Sequence, residues 1–142
     1  MEVIKAGHSA YALKYHIVWV CKYRRRILNP GVVMYIKKTL PWLLRSMPGV
    51  KIESIGFDLD HLHMVMIIPP SYSISDVMGN LKSRLASKMR KSYPWLSKVY
   101  WKENIVWSPG YFVSSIGLDE DTIRNYVEMQ GNQDLGQMTC HL

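Results

Sequence analysis

The sequence has only two cysteines and lacks long apolar runs, internal repeats and a nucleotide-binding loop. Cys21 and Cys140 are far apart and have no metal-type spacing, which argues against a disulfide framework and fits a reducing compartment. The longest apolar run, Met64–Ile68, is far too short to span a bilayer, and the N-terminus lacks an apolar signal segment. We therefore expect a cytoplasmic protein with no membrane span and no nucleotide cofactor.

The charge is unbalanced. The chain of 142 residues carries 18 Lys and Arg against 11 Asp and Glu, a net charge of +7. Its length predicts a single domain over residues 1–142, and a hydrophobic content of 48% argues against disorder. The basic surplus favours a polyanionic partner, either nucleic acid or an anionic membrane, over a surface that is merely solvated.

The pattern predicts seven elements in the order β-α-β-β-α-β-α. Strands are expected at Tyr11–Val20, Val50–Phe57, His61–Ile68 and within Ile105–Ser115, where Pro109-Gly110 forms a turn. Helices are expected from Asn29-Pro30 to about Met47, with a break or kink at Pro41, then at Ser73–Tyr93 and Asp119–Gln130. Gly131 is expected to cap the last helix, and the polar tail after it to fray.

The first six elements predict an α+β fold of the ferredoxin-like (RRM-like) type, an antiparallel sheet with helices on one face. The core should span residues 12–116, and the C-terminal helix residues 119–130. Strand alternation would then pack Leu62, Met64, Met66 and Ile68 on the helices. His61 and His63 would point to the other, open face.

The His61-Leu62-His63 tripeptide is the strongest candidate for chemistry. Two neighbouring imidazoles can hold a divalent metal, although two hydrogen-bonded histidines on a sheet face would show the same pattern. Tyr126 and Gln130 lie four residues apart on one helix face, and a tyrosine can act as a nucleophile. The amide oxygen of Gln130 would suit Mg²⁺ or Mn²⁺ as a third ligand, and the bland alternative is a packing Tyr beside a surface Gln.

Two basic clusters are candidates for binding the phosphates of DNA. Aromatic residues near them in sequence, including Tyr23 and Trp101, could stack on unpaired bases or simply pack in the core. The clusters consist of Lys22, Arg24, Arg25 and Arg26 after the first strand, and Lys82, Arg84, Lys88, Arg90 and Lys91 on the middle helix.

Over residues 12–130 the chain resembles the TnpA-type insertion-sequence transposases of the single-tyrosine HUH class (His, hydrophobic residue, His). The resemblance rests on Tyr15–Arg26, His61–Pro70, Ser73–Arg84, Gly110–Ser114 and the Tyr126-x-x-x-Gln130 pair.

The resemblance implies a homodimeric enzyme that cleaves and rejoins single-stranded DNA at the hairpin-bearing ends of a mobile element. It implies that Tyr126 forms a 5′-phosphotyrosine while His61, His63 and Gln130 bind the metal. Gly117 could be the hinge that lets the tyrosine helix complete the partner's site.

Three other readings stay open at this point. The chain could be a catalytically silent DNA-hairpin-binding protein, although such a protein gains nothing from His61, His63, Tyr126 and Gln130. It could be a replication-initiator or relaxase-type nickase, which usually carries further domains. An RNA-binding ferredoxin-like module would place aromatic residues where the histidines stand.

Overall fold

Strands and helices follow one another in the predicted order, with a short hairpin added before the first long strand and a short helix added before the last strand. The computed structural model describes residues 4–6, 9–11, 13–101, 103–115, 117 and 119–140. The strands are β1 (Ile4–Ala6), β2 (Ser9–Tyr11), β3 (Lys14–Val20), β4 (Lys51–Phe57), β5 (His61–Ile67) and β6 (Phe112–Ser114). The helices are α1 (Pro30–Leu43), α2 (Ile74–Ser92), α3 (Leu96–Val99) and α4 (Glu120–Cys140), with 3-10 turns at Lys22–Arg24 and Leu44–Ser46.

The main sheet is antiparallel, in the spatial order β4-β5-β3-β6. This is the strand order of a ferredoxin-like split βαβ fold, so the predicted fold class is confirmed. β5 lies between β4 and β3, and its residues His63 and His61 pair with Val18 and Val20 of β3. The hairpin of β4 and β5 contains a register shift between Ile52 and Ser54, a β-bulge on the edge strand.

One face of the sheet is covered by α1 and α2. Ile17 and Trp19 of β3 and the predicted residues Leu62, Met64, Met66 and Ile68 are buried in this layer. Both helices begin where side chains satisfy free backbone N–H groups: Asn29 accepts from Val32 and Ser73 accepts from Asp76. The buried positions of α2 recur at helical spacing, so its apolar stripe faces the sheet.

The first strand and first helix differ in detail from the expectation. The predicted strand Tyr11–Val20 is divided between β2 and β3. Helix α1 continues through Pro41 and ends at Leu43, before a 3-10 turn. Pro41 therefore does not break the helix.

The opposite face of the sheet is not free, which corrects the prediction of an open face. Helix α4 lies on it, and Val127 forms a small apolar cluster with Val18 and Val20. The predicted helix end was also wrong, because α4 runs from Glu120 to Cys140 instead of stopping at Gln130. Gly131 lies inside the helix, where a side chain would collide with Arg24, so this glycine allows close packing instead of capping.

Cys21 directly follows β3. Its thiol is fully buried, and burial raises its pKa well above the usual value. Among the helices that the structure describes, none is both long enough and apolar enough to cross a membrane.

The middle residue of the histidine tripeptide should be essential for stability. Leu62 is completely buried among the helices, so Leu62→Ala should lower the free energy of unfolding by about 2–5 kcal/mol. The measurement is urea unfolding followed by circular dichroism. The control is Leu59→Ala in the adjoining turn, where the side chain is exposed; an equal loss from both variants would contradict the assigned core.

Candidate active site

The two histidines stand side by side on the face that carries α4. Strand pairing places Gly56, His63, Val18 and Phe112 in one row across β4, β5, β3 and β6. His61 lies two residues earlier on the same face of β5 and pairs with Val20. The predicted orientation of both rings is therefore confirmed.

Carboxylates face both ring nitrogens of His61. Its Nδ1 lies 2.7 Å from Asp60 and its Nε2 lies 3.1 Å from the exposed Asp58. Asp60 also accepts from Nε of Arg24 at 3.0 Å, and its bonds to His61 and Arg24 lower the pKa of this carboxyl. An imidazole that donates Nδ1–H to Asp60 can bind a metal through Nε2 once the exposed Asp58 turns aside or shares the ion.

The ring of His63 occupies space that Gly56 leaves open. A Cβ at residue 56 would lie 2.5 Å from His63 Nε2, a separation that side chains do not tolerate. His63 itself is exposed to solvent. The glycine of β4 thus allows the imidazole to lie against the backbone of the edge strand.

A cavity of about 460 Å³ separates the histidines from α4. It is lined by both histidines, by Arg24, Asp58 and Asp60, and by Glu120, Ile123, Arg124 and Val127 of the helix. The described residues that line it include neither Tyr126 nor Gln130. The structure therefore brings the tyrosine helix to the histidines but not the two helix residues predicted to act with them.

Tyr126 instead faces the β6 side of the sheet. Its ring packs on Phe112 with centroids 5.3 Å apart, and Phe112 stands two strands away from His63. Two strand spacings amount to roughly 10 Å. Burial, with a smaller effect from the charge of Asp134, raises the pKa of Tyr126 to about 12, so in this position the phenol keeps its proton at neutral pH.

Gln130 is buried between Tyr126 and a residue that the sequence analysis missed. Its Oε1 lies 3.5 Å from the Tyr126 hydroxyl, and its Nε2 lies 3.4 Å from Asp134. Asp134 is 0% exposed and also accepts from the backbone N–H of Tyr23 at 3.0 Å, from Lys22 and from Ser108. The only sequence signal for Asp134 is its spacing, one helical turn beyond Gln130.

The fold separates the two predicted basic clusters. Arg24 and Arg26 line a second cavity beside His61, whereas Lys22 is buried against Asp134. The α2 cluster lies in the helical layer, opposite the histidines. Three of its side chains donate hydrogen bonds within the protein: Lys82 to the carbonyls of Ser108 and Gly110, Arg84 to the carbonyl of Leu43 and the hydroxyl of Ser46, and Arg90 to the carbonyl of Ile105. The ammonium of Lys88 lies over the ring of Trp42. Lys91 is exposed to solvent.

An aromatic surface adjoins the first cluster. The guanidinium of Arg25 lies 5.8 Å from the ring of Tyr23 and 5.7 Å from that of Trp101, which is 54% exposed. Tyr23, Arg24 and Trp101 all have positive φ angles, and Tyr23 is held in this conformation by Asp134. By contrast, Trp107 is buried against Trp19 and offers no free ring face for stacking.

The side chains fit a divalent ion only in part. Two imidazoles on one sheet face can bind a divalent metal ion, although Mg²⁺ and Mn²⁺ prefer oxygen ligands. Within the described part of the chain, no three His, Cys, Asp or Glu side chains are grouped so that they could hold a metal. Gln130 does not line the cavity beside the histidines, so its role as a third ligand stays a prediction.

Comparison with known proteins identifies the family. Residues 9–130 match the model of the family described as "Transposase IS200 like". The chain is 28% identical over 137 residues to the ISDra2 transposase TnpA of Deinococcus radiodurans, covering 94% of this chain and 95% of that protein. It is 30% identical over 132 residues to the transposase of insertion element IS200 from Salmonella typhimurium, covering 90% and 83%.

Solved structures agree with this result. A crystal structure from Deinococcus radiodurans R1, assigned as a transposase, superposes with a TM-score of 0.76 at 28% identity and covers 89% of this chain and 97% of that one. A REP-associated tyrosine transposase bound to a REP hairpin shares the fold at a TM-score of 0.52 and 15% identity, covering 87% and 69%. The family match and these relatives thus define a DNA transposase. The chain belongs to the IS200-like transposase family.

The alkaline stability of the protein should report the position of Tyr126. The pKa of Tyr126 is about 12 in the folded protein and about 10 in the unfolded chain. Its contribution to the free energy of unfolding is therefore complete below pH 10 and is lost as the pH rises toward 12. Between pH 9 and 11, wild type should lose about 1 kcal/mol more than Tyr126→Phe, after allowance for solvent screening of this half-buried side chain. Urea unfolding at both pH values measures the difference.

The matched control is Tyr35→Phe, which removes a phenolic hydroxyl from α1. A change in pH dependence that is confined to Tyr126→Phe assigns the effect to this residue. Equal pH dependence of wild type and Tyr126→Phe would contradict the packing of Tyr126 on Phe112.

Proposed function

We propose that this transposase cleaves and rejoins single-stranded DNA at the ends of an insertion sequence, with Tyr126 as nucleophile and a divalent ion, Mg²⁺ or Mn²⁺, held by His61, His63 and Gln130. The observation that carries the proposal is the pair of imidazoles on one sheet face, across a cavity from the helix that bears Tyr126 and Gln130. The family match supports it, since the matched residues include all four side chains.

The chemistry follows from the side chains. Oη of Tyr126 attacks the phosphorus, the bond to the 3′ oxygen breaks, and that oxygen leaves as a 3′-hydroxyl while the 5′ phosphate stays on the tyrosine. A 3′-hydroxyl from another end later attacks the phosphotyrosine, which reseals DNA and frees Tyr126. The bound ion supplies stabilisation of charge on the phosphate. The chain's own part is to hold the phosphate at His61 and His63 and to bring Tyr126 to it.

Helix α4 must move for this reaction to occur. Tyr126 sits over β6, two strands from His63, and its phenol keeps its proton there. Gly117, which is exposed and lies just before α4, is the proposed hinge. In a homodimer the released helix of one subunit would complete the histidine site of the other.

The hairpin-binding surface is proposed to lie beside the histidines. Arg24 and Arg26 border the cavity next to His61, and Trp101 with Arg25 forms a surface on which an unpaired base could stack. The structure of the REP-associated relative with its hairpin supports a DNA hairpin as partner.

Covalent trapping tests the nucleophile and the metal. Incubation with single-stranded DNA from the element's ends and Mn²⁺ should give a protein–DNA adduct visible on denaturing gels. The adduct should be absent when a chelator is added, and absent in the variants Tyr126→Phe and His63→Ala. Both variants should still bind the DNA hairpin in a gel-shift assay. An adduct in Tyr126→Phe would refute the nucleophile. Hairpin binding without any wild-type adduct would favour a catalytically silent DNA-binding protein instead.

Charge substitutions test where DNA binds. Arg26→Ala should weaken binding of single-stranded hairpin DNA and reduce the slope of log K against log salt by about 0.7–0.9, the value for one phosphate contact. Lys91→Ala removes an equally exposed charge from α2 and serves as the matched control. Fluorescence anisotropy at several salt concentrations measures both. A larger effect of Lys91→Ala than of Arg26→Ala would show that DNA binds to the helical layer instead.

A further inference from the structure

Three polar side chains form a continuous row along α4. Tyr126, Gln130 and Asp134 follow one another at intervals of four residues, which places them on one helix face. The hydroxyl of Tyr126 lies 3.5 Å from Oε1 of Gln130, and Nε2 of Gln130 lies 3.4 Å from Oδ1 of Asp134. The proposed nucleophile is therefore linked to a buried carboxylate through the proposed metal ligand.

The chemistry of a carboxylate fixes the direction of this row. An ionised Asp accepts hydrogen bonds only, whereas the amide of Gln has one accepting end and one donating end. With Asp134 at one end, the NH₂ group of Gln130 must turn toward it. The amide oxygen is then left on the side of Tyr126.

Asp134 is held rigidly by the body of the protein. Its Oδ2 accepts from the backbone N–H of Tyr23 at 3.0 Å and from Ser108, and Lys22 lies 3.4 Å from its Oδ1. These donors, which include one ammonium, satisfy both oxygens of a side chain that is 0% exposed. In this position of α4 the carboxylate is therefore held in one orientation beside Gln130.

We propose that Asp134 is a positioning residue that keeps the amide oxygen of Gln130, and not its NH₂ group, available to the metal ion. This inference rests on the proposed role of Gln130. An amide in the opposite orientation would present donor hydrogens, which repel a cation. Because Gln130 and Asp134 belong to the same helix, their contact can persist when α4 moves.

The first test is Asp134→Asn, which keeps the size of the side chain. An Asn at this position can offer Gln130 either its oxygen or its NH₂ group, so it no longer holds the amide of Gln130 in one orientation. The amide is then free to turn its oxygen away from Tyr126. Mn²⁺ affinity, measured by electron paramagnetic resonance of the free ion, should fall on the order of 10-fold, the lower end of losses caused by outer-shell substitutions. An affinity equal to that of wild type would overturn the proposal.

The double variant Asp134→Asn/Gln130→Glu separates orientation from mere structure. Glu has two accepting oxygens, so one can accept from the Asn while the other is offered to the metal. A carboxylate binds Mn²⁺ more tightly than an amide, so the reference is Gln130→Glu alone. The double variant should match the Mn²⁺ affinity of that reference. If Asp134 only stabilised the fold, the double variant would bind Mn²⁺ more weakly than Gln130→Glu.

A measurement on wild type covers the case in which the Asn variant fails to fold. The side-chain NH₂ protons of Gln130, assigned through their loss in Gln130→Glu, should exchange with solvent more slowly than those of the exposed Gln133. Equal exchange would overturn the proposal.

Absence of a wild-type adduct would refute the proposed function, whereas a normal adduct with unchanged Mn²⁺ binding in Asp134→Asn would refute only this inference.

Discussion

The pairing of β3 with β5 is the constraint on which the other features depend. In the observed register Trp19 and Leu62 face α1 and α2, while Val18, Val20 and the two histidines face α4. A shift by one residue would exchange these faces and place the imidazoles in the apolar layer. The burial of Leu62, Met64 and Met66 therefore fixes the histidines on the face that carries α4, because a shift by one residue would take that apolar set out of the core.

The sheet face that carries α4 is covered differently from the face that carries α1 and α2. Helix α4 touches the sheet through a small apolar cluster around Val127, and much of its attachment is polar, through Asp134. Small and polar interfaces within a chain resemble those of transient complexes, and relative motion is the usual expectation for them. The attachment of α4 thus suits the movement proposed for this helix.

The sequence allowed the sheet face under α1 and α2 to be predicted well and the face under α4 poorly. Alternation in β5 and the helical spacing in α2 are local patterns, so the strand, the helix and the orientation of His61 and His63 could be read directly. Gly131 was misread as a helix end because its role depends on Arg24, which is distant in the chain. Asp134 was assigned to a frayed tail for the same reason: its partners Tyr23 and Ser108 are 111 and 26 residues away, and no local pattern reports them.

The buried thiol of Cys21 has a practical consequence. It directly follows β3 and is followed at once by the turn that carries Lys22 and Tyr23, two of the residues that bind Asp134. Because the thiol is fully covered and its pKa is raised, a thiol reagent can modify it only when this end of the strand opens. In a chain whose Cys140 has been replaced by Ser, the rate of modification therefore measures how often the apolar core around the end of β3 opens.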